Sequence, residues 1–252
     1  MGLPPAHLLN GVQKAPSAAI FAAIPPHGLR NAPPRFTLEE ILNVSGEGMS
    51  TIPSVNFDWD VIYREGTPPW ETGIPSSELQ RVFEEGLVPR GTALEIGCGT
   101  GCDAIVMVRQ GMEVTAVDNA PTAIERARVR AEQEDSLPRF VLGDIFEFAQ
   151  TAGQFDFVYD AGFYHYIRMT QLDKYLDVLW RVTKPGSLFL TLAGAPGETS
   201  PGSPPQVTKR QLNNELGRLF EVVRLDQFRW PSPASPSGFP AWSCFMKRPE
   251  LK

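Results

Sequence analysis

Between Thr92 and Asp103 the chain reads TALEIGCGTGCD, an apolar run broken by glycine at positions 97, 99 and 101. Ala93-Leu94-Glu95-Ile96 is short, apolar and bounded by turn residues, as a buried strand is. Ala104-Ile105-Val106-Met107-Val108 continues as the apolar side of a helix. Strand, glycine turn and helix without a gap make the opening unit of an α/β fold. Lacking Cβ atoms, the glycines let a ligand approach the main chain, which makes the turn a cradle for a nucleotide-like cofactor.

The spacing selects the cofactor. A dinucleotide fingerprint reads G-x-G-x-x-G and sets a pyrophosphate on the helix N-terminus. Here the order is Glu95-x-Gly97-x-Gly99-x-Gly101, followed by Cys102-Asp103. The acidic flanks repel a pyrophosphate and favour a ligand with an amino group and a sulfonium. The stretch resembles the first motif of the class I S-adenosylmethionine-dependent methyltransferases. That resemblance implies a Rossmann-like seven-stranded, mostly parallel sheet with helices on both faces and an antiparallel last strand. It also implies that Glu95, Gly97, Cys98, Gly99 and Gly101 line the cofactor.

At 252 residues the chain has room for one domain and a modest appendage. With 42% hydrophobic and 21% charged residues it reads as a globular protein, and no run approaches the roughly 20 apolar residues that span a bilayer. The net charge of -6 argues against a nucleic-acid partner and for a small-molecule substrate, with a monomer or weak homodimer as the working unit. Cys98, Cys102 and Cys244 are odd in number and show no C-x-x-C spacing, so neither disulfides nor a zinc site are indicated and a reducing, cytoplasmic compartment fits.

Residues 1–52 form a Pro-rich tail that is either disordered or a targeting segment. Proline pairs recur at Pro4-Pro5, Pro25-Pro26 and Pro33-Pro34, and no acid precedes Glu39, a pattern shared by unstructured tails and organelle transit peptides over residues 1–36. Thr37 to Leu42 suits a short capped helix. From residue 53 the methyltransferase domain is expected, with residues 53–90 as an aromatic lid. Trp59, Tyr63 and Trp70 fall within a dozen residues, in the order W-D-x-x-Y then P-W-x-x-G-x-P. That order resembles the leader of the thiopurine, thiol and halide methyltransferase group and its bacterial small-molecule relatives, and it implies that Trp70 covers the cofactor. Sealing the core is the other use for these rings.

After the turn, Met112 to Val117 reads as a second strand ending on Asp118. An acid about 20 residues past the glycines holds a nucleoside ribose, with Asn119 beside it; the alternative is a cap for the helix Pro121 to Arg130. Phe140 to Phe146 reads as a third strand, and the resemblance gives Asp144 and Ile145 to the adenine, with a loop-capping Asp144 as the alternative. Phe155 to Asp160 is the fourth, and Asp160 joins the predicted cofactor rim. Behind it, Ala161 to Ile167 resembles the D-x-G-x-F-H-x-L motif of the same group, except that Ala161 stands where many members carry arginine, which leaves the acceptor class open.

His165 is the single histidine outside the tail, and it reads either as a proton acceptor or as a buried structural residue. Tyr164 and Tyr166 are read as orienting a small nucleophile, with core packing claiming at least one. Farther on, Gln171 to Val182 has helical spacing, Lys184-Pro185-Gly186-Ser187 turns into a strand at Leu188 to Leu192, and Gln211 to Leu219 reads as a helix. Phe220 to Leu225 and Ala241 to Lys247 are the final strands, joined by a Pro/Ser-rich insert. The resemblance implies methyl transfer without a metal. The acceptor is a thiol or similarly soft nucleophile, or else a phenol, quinol or carboxylate; a non-catalytic cofactor-binding protein is the third reading.

Overall fold

A computed structural model of the chain describes residues 58–199, 203–233 and 235–250. The expectations for the tail, for the helix at Thr37 and for the first lid residues lie outside these. Two short helices come first, α1 (Trp59–Glu65) and α2 (Ser77–Glu84). Then follow β1 (Thr92–Ile96), α3 (Cys102–Arg109), β2 (Glu113–Asp118), α4 (Pro121–Gln133) and β3 (Arg139–Leu142). Next are α5 (Ile145–Thr151), β4 (Phe155–Ala161), α6 (Phe163–Val182) and β5 (Thr183–Gly194). The chain ends with α7 (Lys209–Glu215), β6 (Glu221–Ser232) and β7 (Ser235–Lys247).

The seven strands form one sheet in the order β3-β2-β1-β4-β5-β7-β6. Strands β1 to β5 pair in parallel, and β7 runs antiparallel to both of its neighbours. Alternate residues of β1 face opposite ways, as the pleat requires. Leu94 and Ile96 join a cluster with Val158, Phe189, Tyr175 and Leu179, whereas Ala93 joins Val114, Phe157, Leu79 and Met107. Each face is therefore covered by helices. Fully burying a side chain such as Leu94 contributes about 1.5–3 kcal/mol, so the sheet is held from both sides.

Register fixes the site. Ile96 pairs with Val117 and Asp160, and Asp118 pairs with Leu142, so the carboxyl ends of four strands lie along one edge. The order reverses between β1 and β4, the crevice where open α/β sheets bind ligands.

Several element boundaries differ from the sequence reading. The third strand stops at Leu142; Ile145 and Phe146 begin α5, because Asp144 caps that helix by accepting from the Phe146 amide at 2.7 Å. Helix α6 starts at Phe163, with a break at Gln171, and so absorbs the whole 163–167 segment. The last two strands run through the Pro/Ser-rich insert, because before Ala241 β7 pairs with β6 alone and Pro240 lies in a two-stranded ribbon that tolerates it. No helix among the described residues is long and apolar enough to cross a membrane.

Candidate functional site

The glycine turn folds back on β2. Gly97 and Cys98 amides both donate to the Val117 carbonyl, at 2.8 and 3.1 Å, and the Gly99 amide donates to Asp118 Oδ2 at 2.8 Å. Gly97, Gly99 and Gly101 all have positive φ. A Cβ at Gly99 would stand 2.9 Å from the Tyr63 hydroxyl, and one at Gly101 would stand 2.7 Å from the Phe140 ring. The missing side chains thus make room for the protein's own rings as well as for a ligand.

Glu95 is 3% exposed. The Ala104 amide meets one side of its carboxyl group, while Oε2 has no hydrogen-bond partner. Burial pushes its pKa well above the usual carboxylate range, and Asp103 and Asp118 push it further. A buried carboxyl oxygen without a donor, among other acids, suits a cationic amino group. Asp103, the other acid flanking the turn, is committed elsewhere: it accepts from the Ser76 amide and the Tyr159 hydroxyl, both at 2.7 Å.

Asp118 also accepts from the Ala120 amide at 2.9 Å, so both its oxygens shape the turn while facing the strand edge. It does not cap α4. That role falls to Asp60 from α1, which accepts from the Thr122 amide at 2.7 Å where Ala120 has no capping side chain. Burial raises the Asp118 pKa, and the Ala120 and Gly99 amides partly offset it. The Gly143 amide donates to the Asp118 carbonyl at 3.0 Å, which keeps residues 118 and 144 on the same side of the sheet. Asn119 and Asp144 are exposed there. The Ile145 side chain is buried in the core, leaving its backbone for any ring contact. Cys98 is buried with its thiol pKa raised by burial, a lining residue rather than a reactive one.

The leader closes over this turn. Trp59 and Tyr63 lie one helical turn apart on α1; Trp70 Nε1 donates to the Tyr63 hydroxyl at 3.2 Å, and Trp59 meets Trp70 and Tyr166 edge-on at 5.8 and 5.2 Å. Trp70 itself is 36% exposed. Arg126 donates to the carbonyls of Tyr63 and Gly66, Thr100 Oγ1 donates to Glu71 at 2.6 Å, and Arg130 contacts Cys102 and Gly73. Sequence spacing does not single out Asp60, Glu71, Arg126 and Arg130, because these partners lie 28 to 63 residues away.

Three residues at the fourth strand end are turned from the roles expected of them. Asp160 is fully buried and accepts from the Tyr175 hydroxyl at 2.6 Å and the Tyr164 amide at 3.2 Å; burial lifts its pKa to about 6. It braces α6, with both carboxyl oxygens engaged by that helix. Tyr164 points into the core and donates to Glu215 at 2.7 Å, beside Arg168, so it orients no nucleophile. His165 accepts the Gly194 amide on Nδ1 at 3.2 Å, and burial drives its pKa down to about 3. With Nδ1 accepting from Gly194, the neutral ring carries its proton on Nε2, an arrangement that suits a donor. Tyr166 does stay at the rim, packed 4.8 Å from His165. Trp230 of β6, which sequence spacing could not bring here, lies 6.1 Å from the His165 ring. Among the described residues no group of three His, Cys, Asp or Glu side chains could hold a metal ion.

Comparison with known proteins agrees with this geometry. A methyltransferase domain model matches residues 93–186. The chain is 28% identical over 173 residues to a probable thiol methyltransferase 2 of Arabidopsis thaliana, covering 66% of this chain and 75% of that one. It is 30% identical over 158 residues to the 2-heptyl-1-hydroxyquinolin-4(1H)-one methyltransferase of Mycobacteroides abscessus, covering 62% and 69%. A solved structure described by the conversion of a disulfide bond into a thioacetal group during echinomycin biosynthesis superimposes with a TM-score of 0.66 at 25% identity, over 75% of this chain and 91% of that one.

Proposed function

Because the chain belongs to the class I S-adenosylmethionine-dependent methyltransferases, acting on a small molecule, we propose that its acceptor is a thiol. The observation that carries this reading is the state of His165, the one near-neutral titrating side chain expected at the strand ends. Its accepting nitrogen is already used by Gly194, and the ring stays neutral down to about pH 3. Burial raises the Tyr166 hydroxyl to about 12, and Asp160 is sealed behind α6. A site without a base needs an acceptor that ionises by itself, and a free thiol does so near pH 8.5. The relative named for a thiol supports the same chemistry.

In this reading Glu95 Oε2 takes the amino end of the cofactor, Asp118 and Asn119 the ribose hydroxyls, and Asp144 with the Ile145 backbone the adenine. Gly97, Cys98, Gly99 and Gly101 form the floor, and Trp70, with Trp59 and Tyr63, forms the roof. When bound, the cofactor supplies a methyl group already activated by its positive sulfur. The chain's own task is then to align the acceptor at Gly162 and Tyr166 and to exclude water beneath the leader. The charge of -6 supports a substrate other than nucleic acid, the protein works as a monomer or weak homodimer, and its three free thiols suit the cytoplasm.

A panel of small thiols, phenols and carboxylates incubated with labelled methyl donor tests the reading. S-methylated product is expected. Labelled phenol or carboxylate ether and ester products with no thioether would overturn it.

A further inference from the structure

His165 is left with one polar group that the fold does not use. Its Nδ1 is tied to the Gly194 amide of β5, and its Nε2 has no hydrogen-bond partner among the described residues, yet it is not among the atoms sealed from solvent. The Nε2 edge faces Gly162, the residue between β4 and α6: a Cβ there would stand 3.5 Å from Nε2 and 3.6 Å from the Trp230 ring. Gly162, whose φ of 94° favours glycine, thus leaves beside its Cα a gap about the size of a methyl group between the imidazole and the Trp230 indole, with the Tyr166 ring packed on the imidazole. Trp59 from the leader packs on Tyr166 and closes the group. The space adjoins the tip of β4, where the cofactor rim ends.

Resting on the thiol reading above, we propose that His165 Nε2–H is a hydrogen-bond donor to the acceptor, holding it as its anion over Gly162 between aromatic walls that include Trp230. The proton lost by the acceptor goes to solvent and not to the imidazole, whose second nitrogen is already an acceptor for Gly194. A neutral donor at this point lowers the energy of a thiolate relative to its thiol, since a hydrogen bond to a charged group is stronger than one to a neutral group. The groups packed on the ring favour its neutral form. Arg168 of α6 disfavours an imidazolium, Asp160 of β4 is turned to Tyr175, β5 offers a backbone amide, and Trp230 of β6 does not titrate. The class of acceptor that fits is a small, largely apolar molecule with one acidic S–H, carrying no charge besides the one formed on ionisation.

The test uses two substitutions in the full chain. His165→Asn can keep an acceptor for the Gly194 amide while losing the N–H that reaches Gly162, and His165→Gln returns an amide N–H near the Nε2 position. With a small thiol that the wild type methylates, His165→Asn is expected to lower kcat/KM at pH 7 about tenfold. It should also move the acid limb of the kcat profile upward, toward the free thiol value of about 8.5, with cofactor affinity within twofold of wild type. His165→Gln should recover most of both losses. An unchanged kcat profile and kcat/KM in His165→Asn would reduce the residue to packing and overturn the proposal, as would a limb that disappears, the mark of a base. Those outcomes leave the thiol reading standing; a wild type that methylates no thiol removes both.

Discussion

Asp118 holds the glycine turn, and the proposed function gives the same side chain to the ligand. Its oxygens hold the amides of Gly99 and Ala120, and the same carboxylate faces the strand edge where a ribose is expected. Asp118→Ala should therefore weaken S-adenosylmethionine binding at least tenfold, about 1.4 kcal/mol, in a calorimetric titration; unchanged affinity would remove it from the site. Asp160 makes a different prediction. Its folded pKa of about 6 lies above the unfolded value of about 3.9, so the folded state holds the extra proton and stability falls with rising pH between about 4 and 6. His165 has the opposite sign, since its folded pKa of about 3 lies below the unfolded 6.5 and stability rises with pH across the same window. The two slopes oppose each other. Asp160→Asn should then steepen the rise in unfolding free energy by about 1.4 kcal/mol per pH unit between pH 4 and 6, measured by denaturant titration; no change in slope would mean that Asp160 titrates normally. At this scale Glu95, Asp118 and the glycines are legible in the sequence as candidates, because their spacing along one strand-turn-helix unit is local. It could not reveal that Asp160 and Tyr164 face inward, since their partners Tyr175 and Glu215 are set by how α6 and α7 pack.

Among the elements, the leader decides access. It is tied to the turn through Glu71 and Thr100, to α3 through Ser76 and Asp103, and to α4 through Asp60 and Arg126. Trp70, a third exposed, contributes little burial but spans Trp59 and Tyr63. Trp70→Ala should slow turnover about tenfold while changing unfolding free energy by less than about 1 kcal/mol; wild-type kinetics would assign the ring to packing alone. Thr100→Val removes the hydroxyl that meets Glu71 and should raise amide exchange across 59–76 before it lowers global stability, as expected of a segment that opens locally. Equal exchange in both proteins would show that this tie does not hold the leader down. Helix and strand order was legible from apolar periodicity. The end of β3 was not, because Asp144 acts through its side chain as a helix cap, and apolar Ile145-Phe146 reads equally well as strand or helix.

For the whole molecule, the reversal of strand order between β1 and β4 gathers residues 97, 118 and 144 on one edge. The β6–β7 hairpin adds Trp230 and reaches the leader, where Ser232 Oγ donates to the Pro69 carbonyl at 3.4 Å. That closure brings together residues 163 positions apart, a pairing no spacing rule carries. The sheet class and its candidate cofactor edge are legible from a few strand-end acids in the right order, while the proposed acceptor side depends on long-range packing that no spacing carries. The most direct measurement is a crystal structure of the chain with S-adenosylhomocysteine. The account predicts the ribose hydroxyls on Asp118, the adenine amine near Asp144 and the amino end against Glu95 Oε2, beneath Trp70. A ligand bound elsewhere, or one lying at this edge without touching residues 95, 118 and 144, would contradict it.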